Sequence, residues 1–297
     1  MEYDRKDPDF DKSMEKVYRT ALITQSQILH VVVTHFNIKF AVPHKGRDIK
    51  RTWKRPLMKE SYAKEYMRSR ISLFRDFCYP SMLNQSCQNF HWFVYLDGDN
   101  TPSEWFSEFD RITPVYLKEN DVFSYKKHLA VEIVRRRLTR DKKWVIFTKL
   151  DNDDCLEKHW INELQTMWLP LTKNLGRNFS LLNFNDGLMF IKRGQDKYLF
   201  NHKDRHNPFV NTIERITSHN YQGDMVTCWK STHNQMLGTL YSDKVIRVTD
   251  PNRPMFLIND QQHNLCDRND KINTGKKTKK SLDYIEENFG VVKECLE

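Results

Sequence analysis

Apolar residues in this chain fall into short, dense runs that end in polar or acidic side chains. Ile28 to Val33 is a largely β-branched run, the pattern of a strand buried on both faces, and Phe90 to Leu96 and Trp144 to Leu150 have the same character. Between the first two runs, Tyr62, Tyr66, Ile71, Phe74 and Phe77 trace an apolar side at helical spacing, which predicts a helix from near Met58 to Cys78, stopped by Pro80. Thr101-Pro102-Ser103-Glu104 predicts a short helix with a threonine or serine cap. Ser124 is read as the cap of a helix carrying Leu129, Ile133, Val134 and Leu138 on one stripe, and Leu156 to Trp168 as a further helix. Phe179 to Phe184 and Leu188 to Ile191 flank Asn185-Asp186-Gly187, a turn signal that predicts a hairpin.

The alternation of strand and helix followed by a hairpin predicts an α/β fold: a mostly parallel sheet, helices on both faces and an antiparallel addition. Residues 1–27 are polar and weakly periodic and read as an N-terminal extension, residues 28–266 as the main domain, and residues 267–297 as a basic loop followed by a C-terminal helix. Past Pro208 the periodicity weakens, with modest candidates at Thr227 to Leu240 and Ser281 to Phe289. No repeat of 20 to 50 residues and no low-complexity tract occurs.

The chain has 297 residues, enough to bury most of one sizeable core. No stretch approaches the roughly 18 consecutive apolar residues of a membrane span, and Met1 to Lys16 is charged rather than signal-like. A cytoplasmic protein is expected, at most peripheral at the inner face of a membrane. Six cysteines are scattered without C-x-x-C spacing, so reduced thiols are expected rather than a zinc site or a disulfide framework. The formal charge of +9 predicts attraction to anions such as nucleotides, acidic polymers or a membrane surface. The basic clusters at Lys45 to Arg55, Arg135 to Lys143 and Lys271 to Lys280 also read as solvated surface.

The chemistry concentrates where two strands stop. Phe93-Val94-Tyr95-Leu96 runs into Asp97-Gly98-Asp99, and Val145 to Leu150 runs into Asp151-Asn152-Asp153-Asp154. Acidic side chains at strand ends deliver hard oxygen ligands to the carboxyl edge, where open α/β sheets bind ligands. Asp151 and Asp153, two apart on extended backbone, project to the same side and suit Mn2+ or Mg2+ bridging a diphosphate. A capped turn is the competing structural explanation for both clusters. Asp97 and Asp99 equally suit hydrogen bonds from a nucleotide base or ribose.

Several ordered segments carry a resemblance. His30-Val31-Val32-Val33-Thr34-His35-Phe36-Asn37 is followed by Arg70-x-x-Leu73-Phe74, Pro80-Ser81-x-x-x-Gln85, Asn89-Phe90-x-Trp92, Asp97-x-x-x-Thr101-Pro102 and Leu150-Asp151-Asn152-Asp153-Asp154. Asn207-Pro208-Phe209 with Glu214, Thr227 to His233 and Pro254 to Asn264 continue the series. Over about residues 28 to 266 the set resembles the rhamnosyltransferase family of nucleotide-sugar glycosyltransferases. The resemblance implies a GT-A-like, Rossmann-like fold and a donor activated by a nucleoside diphosphate, with Asp151 and Asp153 as the metal and diphosphate site.

On that reading the chain transfers rhamnose or another hexose from a UDP-, dTDP- or GDP-linked donor to a glycan hydroxyl in polysaccharide biosynthesis. Thr34, Asn37, Arg70, Asp97, Asp99 and Asp151 are the candidate donor contacts, and His233 is a third candidate metal contact. Glu214, Asp186 and Asp224 are candidates for the carboxylate that deprotonates the acceptor, Glu214 first because it follows the Asn207-Pro208-Phe209 segment. Arg75 is a second candidate phosphate contact, and Trp92, Trp105, Trp160 and Trp229 are candidate stacking platforms. Two rivals remain: a metal-dependent nucleotidyltransferase, against which the lack of a G-x-x-x-x-G-K-[ST] loop counts, and a non-catalytic module binding nucleic acid or acidic polysaccharide.

Overall fold

A computed structural model describes residues 1–7, 9–10, 12, 14–15, 23–36, 60–98, 101–117, 129, 131–133, 135–136, 138–217, 236–260 and 276–296. The expectations placed on Asn37, Asp99, Ser124, Val134, Asp224, Trp229 and His233 lie outside these residues.

The three dense runs form the centre of an eight-stranded sheet. In chain order its strands are β1 (Glu2–Asp4), β2 (Ile28–His35), β3 (His91–Asp97), β4 (Thr113–Leu117), β5 (Trp144–Lys149), β7 (Phe179–Phe184), β10 (Asn211–Arg215) and β11 (Val245–Thr249). Their spatial order is β1-β11-β7-β10-β5-β2-β3-β4. All neighbouring pairs are parallel except those that β10 makes with β5 and β7. The fold is therefore α/β with a mostly parallel central sheet, compatible with a GT-A-like arrangement.

Successive side chains of a strand point to opposite faces, so each buried run feeds two cores. Ile28, Val32, Trp92, Val94, Leu96, Trp144 and Ile146 lie in one cluster with Met67, Ile71, Phe74, Trp160, Leu164 and Trp168. Leu29, Val31, Val33, Phe93, Tyr95, Val145 and Phe147 lie in the other with Leu129 and Ile133. Apolar packing thus covers both faces of the central strands, which is why their runs are continuous rather than alternating.

The sheet has three strands that the sequence pattern did not announce, β4, β10 and β11, and gains β1 at its far edge. Residues 2–4 are paired with β11, and Arg5 donates to Glu163, whose carboxylate also bonds Arg253. With Phe10 and Met14 buried, the first segment packs against the main core rather than standing clear of it.

Prolines continue two helices instead of stopping them. Glu60–Leu73 passes through a π-helical turn, Phe74–Cys78, into Tyr79–Leu83, so Pro80 does not end the helix as expected. The Tyr79 N–H bonds the Phe74 carbonyl five residues back, and this widened turn accommodates a residue that has no N–H and whose ring would clash in a regular helix. The same device precedes Pro170: Trp160–Glu163 runs through the π-turn Leu164–Trp168 into Leu169–Asn174. The helix expected from Leu156 begins instead at Trp160, because β6 (Cys155–Leu156) pairs with β12 (Phe256–Asp260). At Ser103–Phe106 the cap position is Pro102, without a side-chain hydrogen bond, in place of the expected threonine or serine cap.

The expected hairpin around Asn185-Asp186-Gly187 does not form. β7 stays in the main sheet, while β8 (Asp186–Arg193) enters a second sheet of order β6-β12-β8-β9, where its antiparallel partner is β9 (Asp196–Lys203). Gly187 lets the strands cross closely: a Cβ there would lie 2.2 Å from the Phe256 ring. The second sheet packs against Leu282–Phe289, capped by Ser281 and ended by Gly290 at φ 70°, through Ile285 and Phe289.

Candidate active site

The parallel strands β5, β2 and β3 lie side by side and finish at the same edge, with Lys149, His35 and Asp97 as their last residues. Strands about 4.8 Å apart place the β3 and β5 backbones roughly 10 Å apart, with β2 between. Asp97 and Asp151 therefore stand on opposite sides of the β2 terminus.

The loop after β5 is held from three directions. The Leu150 N–H bonds the Val33 carbonyl at 3.0 Å, the Asn152 amide donates to the Phe36 carbonyl at 2.9 Å, and the Asn259 N–H donates to Asp154 at 3.0 Å. Arg70, from the long helix, places its terminal nitrogens on the two oxygens of Asp153, each at 2.8 Å, and also donates to the side-chain amide oxygen of Asn152. Lys149 reaches Asp151 at 3.0 Å.

These contacts sort the charges by depth. The side chains of Arg70 and Asp153 are 9% and 11% exposed, while Lys149 and Asp151 are 20% and 37% exposed. An inner ion pair anchors the loop and an outer pair faces solvent. Burial raises the Asp151 carboxyl, but Lys149, His35 and Arg70 outweigh it and hold the group below the usual carboxylate range. At Asp153 burial prevails over the pull of Arg70 and the group is raised. Burial also pushes the thiols of Cys78 and Cys155 well up, so neither supplies a thiolate to this loop near neutrality. Cys78, Cys87, Cys155 and Cys295 are all free thiols.

Asp151 and Asp153, the described part of the expected donor set, do not by themselves fit a Mn2+ or Mg2+ site. Both Asp153 oxygens face a guanidinium, the Asp151 carboxylate already faces an ammonium, and a hard cation needs several oxygens at once. Among the described residues no group of three His, Cys, Asp or Glu side chains is arranged to hold a metal ion.

The other expected contacts separate. Thr34 is fully buried and accepts the Trp92 indole N–H at 3.0 Å, so its side chain belongs to the core. Arg70 bonds Asp153 and Asn152 in the loop after β5. Arg75 pairs with Glu108 at 2.5 Å beside a groove of about 410 Å³ that also touches Arg68, Ile71, Glu104 and Trp105. Trp92 and Trp160 lie inside the core and offer no stacking face.

Glu214, the first candidate for the acceptor base, lies apart from the acidic loop. It lies on β10, the antiparallel strand, opposite Val145 and Phe179. Four residues of strand separate Val145 from Lys149, about 13 Å, so Glu214 sits toward the opposite edge of the sheet from Asp151. Asp186 stays on the acidic edge: β7 is two strands from β5, again about 10 Å, and Asp186 follows it after one residue. Burial raises the Asp186 carboxyl above its ordinary value, with the Asp250 N–H donating to it at 2.8 Å.

Lys149, Asn152 and Asn259 are site residues that the sequence reading passed over. A charged residue closing an otherwise apolar run was the available signal for Lys149; Asn152 and Asn259 had none beyond their neighbours. The ensemble is that of an α/β protein with a charged carboxyl edge on its central sheet. A family described as "Putative rhamnosyl transferase" matches residues 34–271, and the chain belongs to that family. Comparison with curated proteins gives no significant match. Among the described residues no helix is long and apolar enough to cross a membrane.

Proposed function

We propose that this protein is a glycosyltransferase that moves a sugar from a nucleoside-diphosphate donor to a hydroxyl of a glycan. The observation that carries the reading is the common edge of β2, β3 and β5, where the buried Asp97 and a half-buried Lys149–Asp151 pair stand on strands about 10 Å apart with one strand between. That edge is where open α/β sheets take nucleotides, and membership of the rhamnosyl transferase family supports transfer of a deoxyhexose or related hexose.

In this reading Asp97 accepts from the nucleoside, through base or ribose, and Asp151 accepts from donor hydroxyls. Asp186 receives the proton of the attacking acceptor hydroxyl, a role suited to a carboxyl whose affinity for protons is raised by burial. The acceptor oxygen forms a bond to the anomeric carbon as the bond to the diphosphate oxygen breaks, and the nucleoside diphosphate leaves with the electron pair.

The test is a thermal-shift and turnover panel of UDP-, dTDP- and GDP-sugars with hydroxyl acceptors. Stabilisation by one nucleotide class, lost in Asp97→Ala, and release of that nucleoside diphosphate on adding acceptor are expected. No shift and no release with any donor, together with salt-sensitive binding of nucleic acid or acidic glycan, would refute transfer in favour of a binding module.

A further inference from the structure

We propose that the diphosphate of the donor is held by the Lys149 ammonium, in the place where a divalent cation was expected, and that Asp153 is a positioning residue rather than a metal ligand. The inference rests on the transferase reading above.

The inner ion pair is already matched. The guanidinium of Arg70 presents two parallel N–H groups to the two oxygens of Asp153, the arrangement in which a carboxylate and an arginine satisfy each other most fully. A metal at Asp153 would take the place of the guanidinium on the carboxylate oxygens that Arg70 now holds. The Arg70 contact with Asn152 is joined by the Asn152 bond to the Phe36 carbonyl, so the pair fixes the loop that carries Asp151.

The outer pair is different. Lys149 closes a buried strand, its N–H bonded to the Val210 carbonyl at 3.1 Å, so its Cα is fixed while its side chain extends to the edge. Its charged partner Asp151 is the most exposed of the four charged side chains. An ammonium with three donors can keep that carboxylate and take a phosphate oxygen together. It also removes the repulsion that a diphosphate would otherwise meet at Asp151 and offsets the charge that develops on the leaving oxygen.

The experiment titrates UDP, dTDP and GDP calorimetrically into the full chain treated with EDTA and again in Mn2+, with Mn2+ binding followed separately by the paramagnetic signal of the free ion. One nucleoside diphosphate is expected to bind with a Kd that agrees within about twofold in the two conditions. Lys149→Ala should weaken it roughly 10- to 100-fold, the range of a lost hydrogen bond to a charged group, with Lys149→Arg restoring most of the loss. Asp153→Asn should leave the free Mn2+ signal unchanged. Binding that requires Mn2+, or Mn2+ uptake abolished in Asp151→Ala or Asp153→Asn, would overturn the inference while leaving the transferase reading in place. Absence of binding by all three nucleotides in both conditions would overturn both.

Discussion

Arg70 and Asp153 lie 83 positions apart in the chain and meet through two 2.8 Å contacts, one from each terminal guanidinium nitrogen. This pair joins the long helix to the loop after β5, so the geometry of the acidic edge depends on it. Removing one partner of a buried pair leaves an uncompensated charge and costs about 3–5 kcal/mol. Asp153→Ala and Arg70→Ala are each expected to lower stability by that order in urea titrations. The double variant should cost less than the sum of the singles, and additive losses would show that the two do not act as a pair.

Asp186 and Glu214 give opposite expectations. Asp186→Asn should lower kcat at least 100-fold, the lower range of a general base, with donor affinity little changed. Glu214→Gln should leave kcat within about twofold, because its strand carries it away from the reacting edge. Steady-state kinetics on the two variants decides between these positions.

His30 makes stability depend on acid. Complete burial lowers its pKa to about 3, and its ring contacts Thr148 at 2.9 Å and Gln165 at 3.2 Å. The unfolded chain takes up this proton near pH 6.5, whereas the folded chain does so only near pH 3. The stability contributed by the neutral ring is thus present above pH 6.5 and is lost as pH falls toward 3, at up to about 1.4 kcal/mol per pH unit. Denaturation between pH 4 and 6 should show a shallower slope for His30→Gln than for the natural chain; equal slopes would mean that His30 is already charged in the folded protein.

Gly187 is expected to tolerate no side chain. Its Cβ would penetrate the Phe256 ring where the chain passes between sheets, and overpacking of this kind costs about 1–3 kcal/mol. Gly187→Ala should lower the urea midpoint, while Gly194→Ala, whose Cβ would meet nothing within 4 Å, is affected only through its φ of 60°. A ranking in which Gly194→Ala is the more damaging would show that the Phe256 face yields.

The three central strands and their acidic ends were legible because a strand buried on both faces must be apolar at consecutive positions, a local property of the chain. Leu129 and Ile133 were legible for the same reason, as neighbours on one helical stripe that reach a core together. Pro80 misled because its conflict with a helix is local, whereas the π-turn that resolves it is sustained by Phe74, Phe77 and Cys78 packing into the cores. Asn185-Asp186-Gly187 misled because a turn signal specifies a change of direction and not which strand will be the partner.

The sequence by itself determined the α/β class, the two acidic strand ends and the edge of the sheet on which they stand, since strand period, buried runs and polar termini are written along neighbouring residues. Only the tertiary structure decided which partners those carboxylates have. It brought Arg70 to Asp153 and inserted β10 antiparallel, which took Glu214 away from the edge, and it passed β8 into a second sheet beside β12, which sent Asn259 to Asp154. Partners of charge and strand order are set by the packing of segments distant in the chain, and no window of neighbouring residues carries that information.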